Sequence, residues 1–343
     1  MRSFASDNYA PAHPDVLQSM VAVNQDHDRA YGADAVTQKL EIKIKEVFGK
    51  AAQIFPVWNG TGANVVALQA MLRPWEAVIC TSQAHINVDE GGAPERIIGT
   101  KLIDLPTPNA KLTPAQVNQA FIRDGDEHYA QPRVVSITQS TEYGTVYSVS
   151  EIAELAEVTH KHNAFLHLDG ARISNAAVAL NVPFAEFTTK CGVDVISFGG
   201  TKNGLISGEA VIFLNSKLTD NIKHIRKTLM QLNSKMRYSS AQLLAFLEND
   251  LWKRNASNAN KMAQLLATEV AQVPGIKITQ TVEVNSVFAI VPQSVITRVI
   301  PQFPFYVWDE RTNEVRWMCS WDTTQEDVIA FVAAIKAAVN QPN

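Results

Sequence analysis

Cysteine is scarce in this chain. Its 343 residues include three, at positions 80, 191 and 319, an odd and scattered set without CxxC spacing. Neither a disulfide framework nor a zinc site is indicated, and a reducing cytoplasm is the expected setting. An excess of one charge is also missing. Thirty Lys and Arg against 34 Asp and Glu leave a net charge of −4, which offers no basic field to nucleic acid or an anionic membrane. No apolar run approaches the ~18 residues of a membrane span, and Met1 to Asp7 has no hydrophobic export segment. Neither GxGxxG nor GxxxxGK(S/T) occurs, so dinucleotide and P-loop readings lose their fingerprints. There is no internal repeat or low-complexity tract.

What is present is alternation. Short apolar runs separated by helical periodicities fill residues 50 to 215, the pattern of an α/β fold whose mainly parallel sheet is covered on both faces. Strands are predicted at 54–58, 77–80, 101–105, 133–138, 165–169, 193–198 and 210–214, with helices at 15–24, 35–48, 65–72, 114–122 and 149–162. Beyond Arg237 a long helical region over 242–273 is expected, interrupted near Asn255 to Asn260; short strands at 276–278, 287–291 and 315–318 then alternate with helices at 295–302 and 325–339. The chain exceeds the ~250 to 300 residues at which single cores stop growing. We therefore expect an arm at 1–14, a large domain at 15–245 and a smaller C-terminal α+β domain at 246–343.

The chemistry-bearing residues sit where predicted strands end. The run Val193 to Phe198 empties into Gly199-Gly200-Thr201-Lys202-Asn203-Gly204, leaving a lysine on a tight turn. Leu166-His167-Leu168-Asp169-Gly170-Ala171-Arg172 ends another strand in a carboxylate, 33 residues before Lys202 and so one crossover unit away. Pyridoxal phosphate requires this pair, a lysine for the Schiff base and a carboxylate that keeps the pyridine nitrogen protonated. The turn Asn59-Gly60-Thr61-Gly62-Ala63-Asn64 joins a strand to a helix and offers free N–H groups to a phosphate. Taken without the lysine and aspartate, it reads rather as an ordinary strand-to-helix glycine turn. His85 and Glu142 follow two further strands, at the edge where open α/β sheets keep their ligands. His167-Leu168-Asp169 also has the His-x-Asp spacing of an iron facial triad, with His224 as the third ligand. His224 falls in a predicted helix of a βα-alternating chain, so the triad is the weaker alternative, and His160 and His162 face different ways on their helix.

Together these stretches resemble the low-specificity L-threonine aldolase family of fold-type I pyridoxal-phosphate enzymes. Further landmarks are Ser6-Asp7-Asn8, Ala30-Tyr31-Gly32, Ala84-His85, Glu90-Gly91-Gly92, Lys235-Met236-Arg237 and Val315-Arg316. The resemblance implies an aspartate aminotransferase-like large domain, a homotetramer with sites at a dimer interface, and cleavage of β-hydroxy-α-amino acids to glycine and an aldehyde. It implies that Lys202 carries the cofactor, Asp169 pairs with its ring nitrogen, Gly60 and Thr61 hold its phosphate and His85 stacks on its ring. Arg237 is implied to reach the phosphate from a neighbouring subunit; Ser6, Arg172 and Arg316 are implied to bind the substrate carboxylate. His85, Glu142 and Asp89 stay open as the base or as groups near the β-substituent. A β-eliminating lyase, dehydratase or aminotransferase on the same scaffold is the alternative activity.

Overall fold

Apolar runs flanked by glycine and helical stretches dictate the core of the chain. In the computed structural model, which describes residues 2–341, they form a seven-stranded sheet. The outermost residues of the expected arm (1) and small domain (342 and 343) lie outside the described residues. The strands are β1 (Gln53–Val57), β2 (Glu76–Thr81), β3 (Lys101–Leu105), β4 (Gln131–Thr138), β5 (Phe165–Gly170), β6 (Val195–Gly199) and β7 (Glu209–Phe213), in the order β1-β7-β6-β5-β4-β2-β3. The pairs from β3 to β6 are parallel, while β7 runs antiparallel to both β6 and β1. The class is therefore α/β with a mainly parallel sheet, as the alternation predicts. Separate apolar clusters cover its two faces.

A second sheet follows from β8 (Lys277–Ile278), β9 (Ser286–Ile290), β10 (Tyr306–Asp309) and β11 (Glu314–Met318), ordered β10-β11-β9-β8 and antiparallel throughout. The hairpin strand β10 escaped the sequence reading because Tyr306–Asp309 is short and incompletely buried. Phe4, from the N-terminal segment, is buried in this second core and stacks on Phe331 at 4.2 Å.

Two helical expectations are corrected. The helix expected at 65–72 begins at Gly60, because the Asn59 side chain caps it by accepting from Gly62 N at 2.7 Å, so the glycine turn is itself the first helical turn. The long C-terminal helical region breaks at 248–250 between helices Met236–Leu247 and Leu251–Val270, where Asn249 and Asp250 adopt φ of 50° and 54°. Asn255 to Asn260 does not interrupt anything. Asn255 Nδ2 donates to Asn203 O, Asn258 Nδ2 to Trp321 O and Asn260 Nδ2 to Asn175 O. These amides satisfy backbone groups of neighbouring segments, which outweighs their weak helix propensity.

Candidate active site

Five of the sequence-singled residues converge because β1, β2, β4, β5 and β6 end on one edge of the sheet. In register, Asp169 of β5 lies between Thr138 of β4 and Ser197 of β6. His167 and Asp169 share a strand face by the two-residue period. His167 is buried, with its ring nitrogens 2.9 Å from the Ser136 and Ser197 hydroxyls, so it buttresses the strand and has no nitrogen left for a metal. Among the described residues no group of three His, Cys, Asp or Glu could hold an ion.

Asp169 is 5% exposed. Its Oδ2 accepts from Asn64 Nδ2 at 2.9 Å and its Oδ1 from Ala171 N at 3.0 Å. The other hydrogen of the Asn64 amide goes to Glu90 Oε1 at 2.7 Å, and that same oxygen lies 2.8 Å from His85 Nδ1. One chain of contacts therefore links His85, Glu90, Asn64 and Asp169. The bond to Glu90 raises the His85 pKa against the opposing effect of burial. The His85 backbone N donates to Glu142 Oε1 at 3.0 Å, and Thr138 Oγ1 donates to the same atom at 2.7 Å. Glu142 Oε2 is shut from solvent without a partner. Burial of this carboxyl pushes its pKa up to about 7.

Lys202 stands on the turn Thr201–Asn203, closed by Gly204 at φ 102°, a conformation that favours glycine. Burial and then the Arg172 guanidinium lower its pKa. A cavity of about 460 Å³ opens beside it, bordered by Gly60, Thr61, His85 and Glu209. The leading N–H groups of a helix have no intrahelical acceptor, so Gly60 and Thr61 bring unpaired donors to this wall. Glu209, on β7, accepts from Thr201 N at 3.2 Å and is buried with a raised pKa.

Other expected residues take distinct places. Ser6 Oγ accepts from Asn8 N at 3.2 Å. The Arg172 fork is engaged by Asp7, at 2.7 and 2.9 Å. Arg316 is unpaired at Nε, with its guanidinium 4.8 Å from the Trp308 ring centroid. Burial, then the Arg172 charge, lower its pKa to about 10, while Asp7 and the exposed Asp89 oppose this. Arg237 is not brought to Lys202 within the chain; its Nη1 donates to Gln25 O and Asp26 O beside a separate cavity of about 440 Å³. Sequence reasoning gave no role to Asp7, Asn64, Glu90 or Glu209. Three lay in quoted landmarks, and only Glu209, facing the cavity from a strand that reads as wholly apolar, left no signal.

The arrangement fits pyridoxal phosphate: a buried carboxylate for a ring nitrogen, a lysine amine in the cavity and a helix start for a phosphate. Residues 3–294 match the β-eliminating lyase family. The chain is 39% identical to the low specificity L-threonine aldolase of a Pseudomonas species over 99% of its length and 98% of the relative's. It is 40% identical to that of Pseudomonas aeruginosa over 95% of each chain. A solved Leishmania major threonine aldolase superposes with a TM-score of 0.93 at 30% identity, covering 99% of this chain and 100% of that one. With the lysine, carboxylate and helix start that the cofactor needs already gathered at one sheet edge, this chain belongs to the low-specificity L-threonine aldolase family of pyridoxal-phosphate-dependent lyases.

Proposed function

We propose that this protein cleaves L-threonine, L-allo-threonine and other β-hydroxy-α-amino acids reversibly to glycine and an aldehyde. The observation that carries this reading is the meeting of Lys202, Asp169 and the Gly60–Thr61 helix start at one cavity, with His85 and Glu142 beside it. When bound there, pyridoxal phosphate supplies the electron sink for the pair left on Cα as the Cα–Cβ bond breaks. Lys202 would hold the cofactor covalently, its lowered pKa favouring the neutral amine. Asp169, oriented by Asn64, would keep a proton on the ring nitrogen, Gly60 and Thr61 would bind the phosphate, and His85, which borders the same cavity, would contact the ring. Arg316, buried and unpaired at Nε, receives the substrate carboxylate together with Ser6 and Arg172. Glu142 takes the β-hydroxyl proton, because a carboxyl titrating near neutrality suits a general base. His85 is the second candidate for that proton, and Asp89 lies toward the β-substituent.

Residues 15–245 form the cofactor-binding unit and 246–343 the small unit. The protein is a homotetramer in which Arg237 serves a neighbour's phosphate site, a role supported by its lining a cavity other than the one beside its own Lys202. Free, buried Cys80, Cys191 and Cys319 suit a cytoplasmic location. No helix among the described residues is long and apolar enough to cross a membrane.

Product analysis with L-threonine and cofactor-loaded protein tests the reaction. Glycine with acetaldehyde is expected. Because the matching family is named for β-elimination, 2-oxobutanoate with ammonia is the competing result and would assign the chain to elimination instead.

A further inference from the structure

Arg172 is expected to bind a substrate carboxylate, yet it already holds one. Its Nε donates to Asp7 Oδ2 at 2.7 Å and its Nη2 to Asp7 Oδ1 at 2.9 Å. Asp7 is 2% exposed, and its Oδ2 also accepts from Asn285 Nδ2 at 3.1 Å. Asn285 is fixed in turn, donating from Nδ2 to Cys319 O and accepting from Cys319 N. The segment bearing Asp7 is pinned on both sides: Phe4 N donates to Pro304 O and Met318 N to Phe4 O, while His13 N donates to Gly204 O, two residues beyond Lys202. Asp7 is therefore held from both sides, by Arg172 and by Asn285.

Two readings of this pair have opposite signs. Asp7 either occupies the substrate's place or aims the arginine at it. Guanidinium geometry decides. A side-on pair uses Nε and one hydrogen of Nη2, leaving the second hydrogen of Nη2 and one of Nη1 on the end-on edge, with the other Nη1 hydrogen directed to the Cδ side. Among the described residues Arg172 Nη1 makes no hydrogen bond, so a complete bidentate edge remains. Charge agrees. Arg172 and Arg316 repel each other, and burial heightens that repulsion. One fixed carboxylate leaves the two guanidiniums a single net positive charge, matched to one substrate carboxylate.

We infer that Asp7 is a positioning residue, a built-in carboxylate that grips Arg172 by its Nε edge and presents the adjoining Nη1–Nη2 edge to the substrate carboxylate. This rests on the proposed function. It assigns the N-terminal segment a share in substrate recognition, although no atom of Asp7 need touch the substrate.

The test titrates the holoenzyme with glycine and, separately, with glycinamide, following the visible absorbance of the bound cofactor. Asp7→Asn keeps the shape and removes the charge. It is expected to weaken glycine binding by about 10- to 100-fold, the range for a hydrogen bond to a charged group, and to leave glycinamide, which has no carboxylate, unchanged. Asn285→Ala, which loosens Asp7 without deleting it, should weaken glycine binding by a smaller factor in the same direction, and carries the comparison if Asp7→Asn does not fold. Tighter glycine binding in Asp7→Asn would make Asp7 a competitor and overturn the inference. Equal weakening of both ligands would reduce it to a structural strut and overturn it as well. A wild-type response to glycine with an unchanged variant sinks the inference alone, whereas no wild-type response sinks the functional reading and the inference with it.

Discussion

Around the four-stranded sheet the interior is aromatic: Phe331 lies between Phe4, Phe303, Phe305 and Trp317, with ring centroids 4.2 to 6.0 Å away. At the edge of the seven-stranded sheet, buried atoms are instead polar and incompletely matched, among them Asn64 Oδ1, Glu90 Oε2 and Glu142 Oε2. The strand β11 belongs to both worlds. Trp317 points into the aromatic core, while its neighbour Arg316 turns to the opposite face with Nε unpaired. Unmatched buried polar groups cost stability; the Trp317 indole nitrogen is one within the aromatic core, but those at the sheet edge are grouped around Asp169 and His85, where a ligand can complete them. The contrast predicts that substitutions at the sheet edge reduce turnover with little loss of stability, and that substitutions in the aromatic core do the reverse.

The largest effect on one side of this comparison is expected from Lys202→Ala. Turnover should fall by at least about a thousandfold with loss of the covalent cofactor link, while the thermal midpoint of the cofactor-free protein stays within a few degrees of wild type or rises, since a buried amine is removed. Steady-state assays and calorimetry check both halves. A variant that unfolds would erase the contrast between the two regions.

On the other side, Phe331→Ala removes a ring that is wholly buried. Such truncations cost about 3–5 kcal/mol, so denaturant unfolding should show a strongly lowered midpoint. Turnover per folded molecule should change less than twofold, roughly the size of a 0.4 kcal/mol perturbation. A large drop in turnover at full folding would mean that the aromatic core communicates with Arg316 along β11.

The same contrast explains what the sequence disclosed. Strand ends at Asp169 and Lys202 were legible because apolar runs and glycine act locally and announce an edge, whereas the helix start at Gly60, capped by Asn59, was read as a turn with the helix placed five residues later. The direction of β7 was hidden, since antiparallel and parallel buried strands read alike. Asn255 and Asn260 misled for a related reason: buried amides gain their partners from distant segments, so local propensity described them as a break. Asp7 lay in plain view within a polar arm, but its bond to Arg172 spans 165 residues. No spacing rule reaches that far.

The smallest effect sharpens the comparison most, because Glu142→Gln should act on both properties in opposite directions. The folded carboxyl titrates near 7, above its ordinary value of 4.5, because it is buried; the Asp169 charge adds to this, while the bonds from Thr138 and the His85 backbone oppose it. Below pH 4.5 both folded and unfolded states carry the proton. As pH rises from there to about 7, the unfolded chain releases its proton first, so the contribution of this group to stability declines across that window. Glutamine has no proton to lose, and the variant should gain on wild type in thermal midpoint from pH 5 to pH 8, because the folded carboxyl holds its proton up to about 7. Turnover moves the other way. A base must be ionised, so wild-type kcat/KM should climb through about pH 7, and the variant should lose that limb along with about tenfold or more in rate. Persistence of the limb in the variant would transfer the base role to His85, whose charge is set by Glu90, Asp169 and Lys202 around it. The stability gain would survive that transfer, since it depends on where the carboxyl is buried and not on which proton it takes.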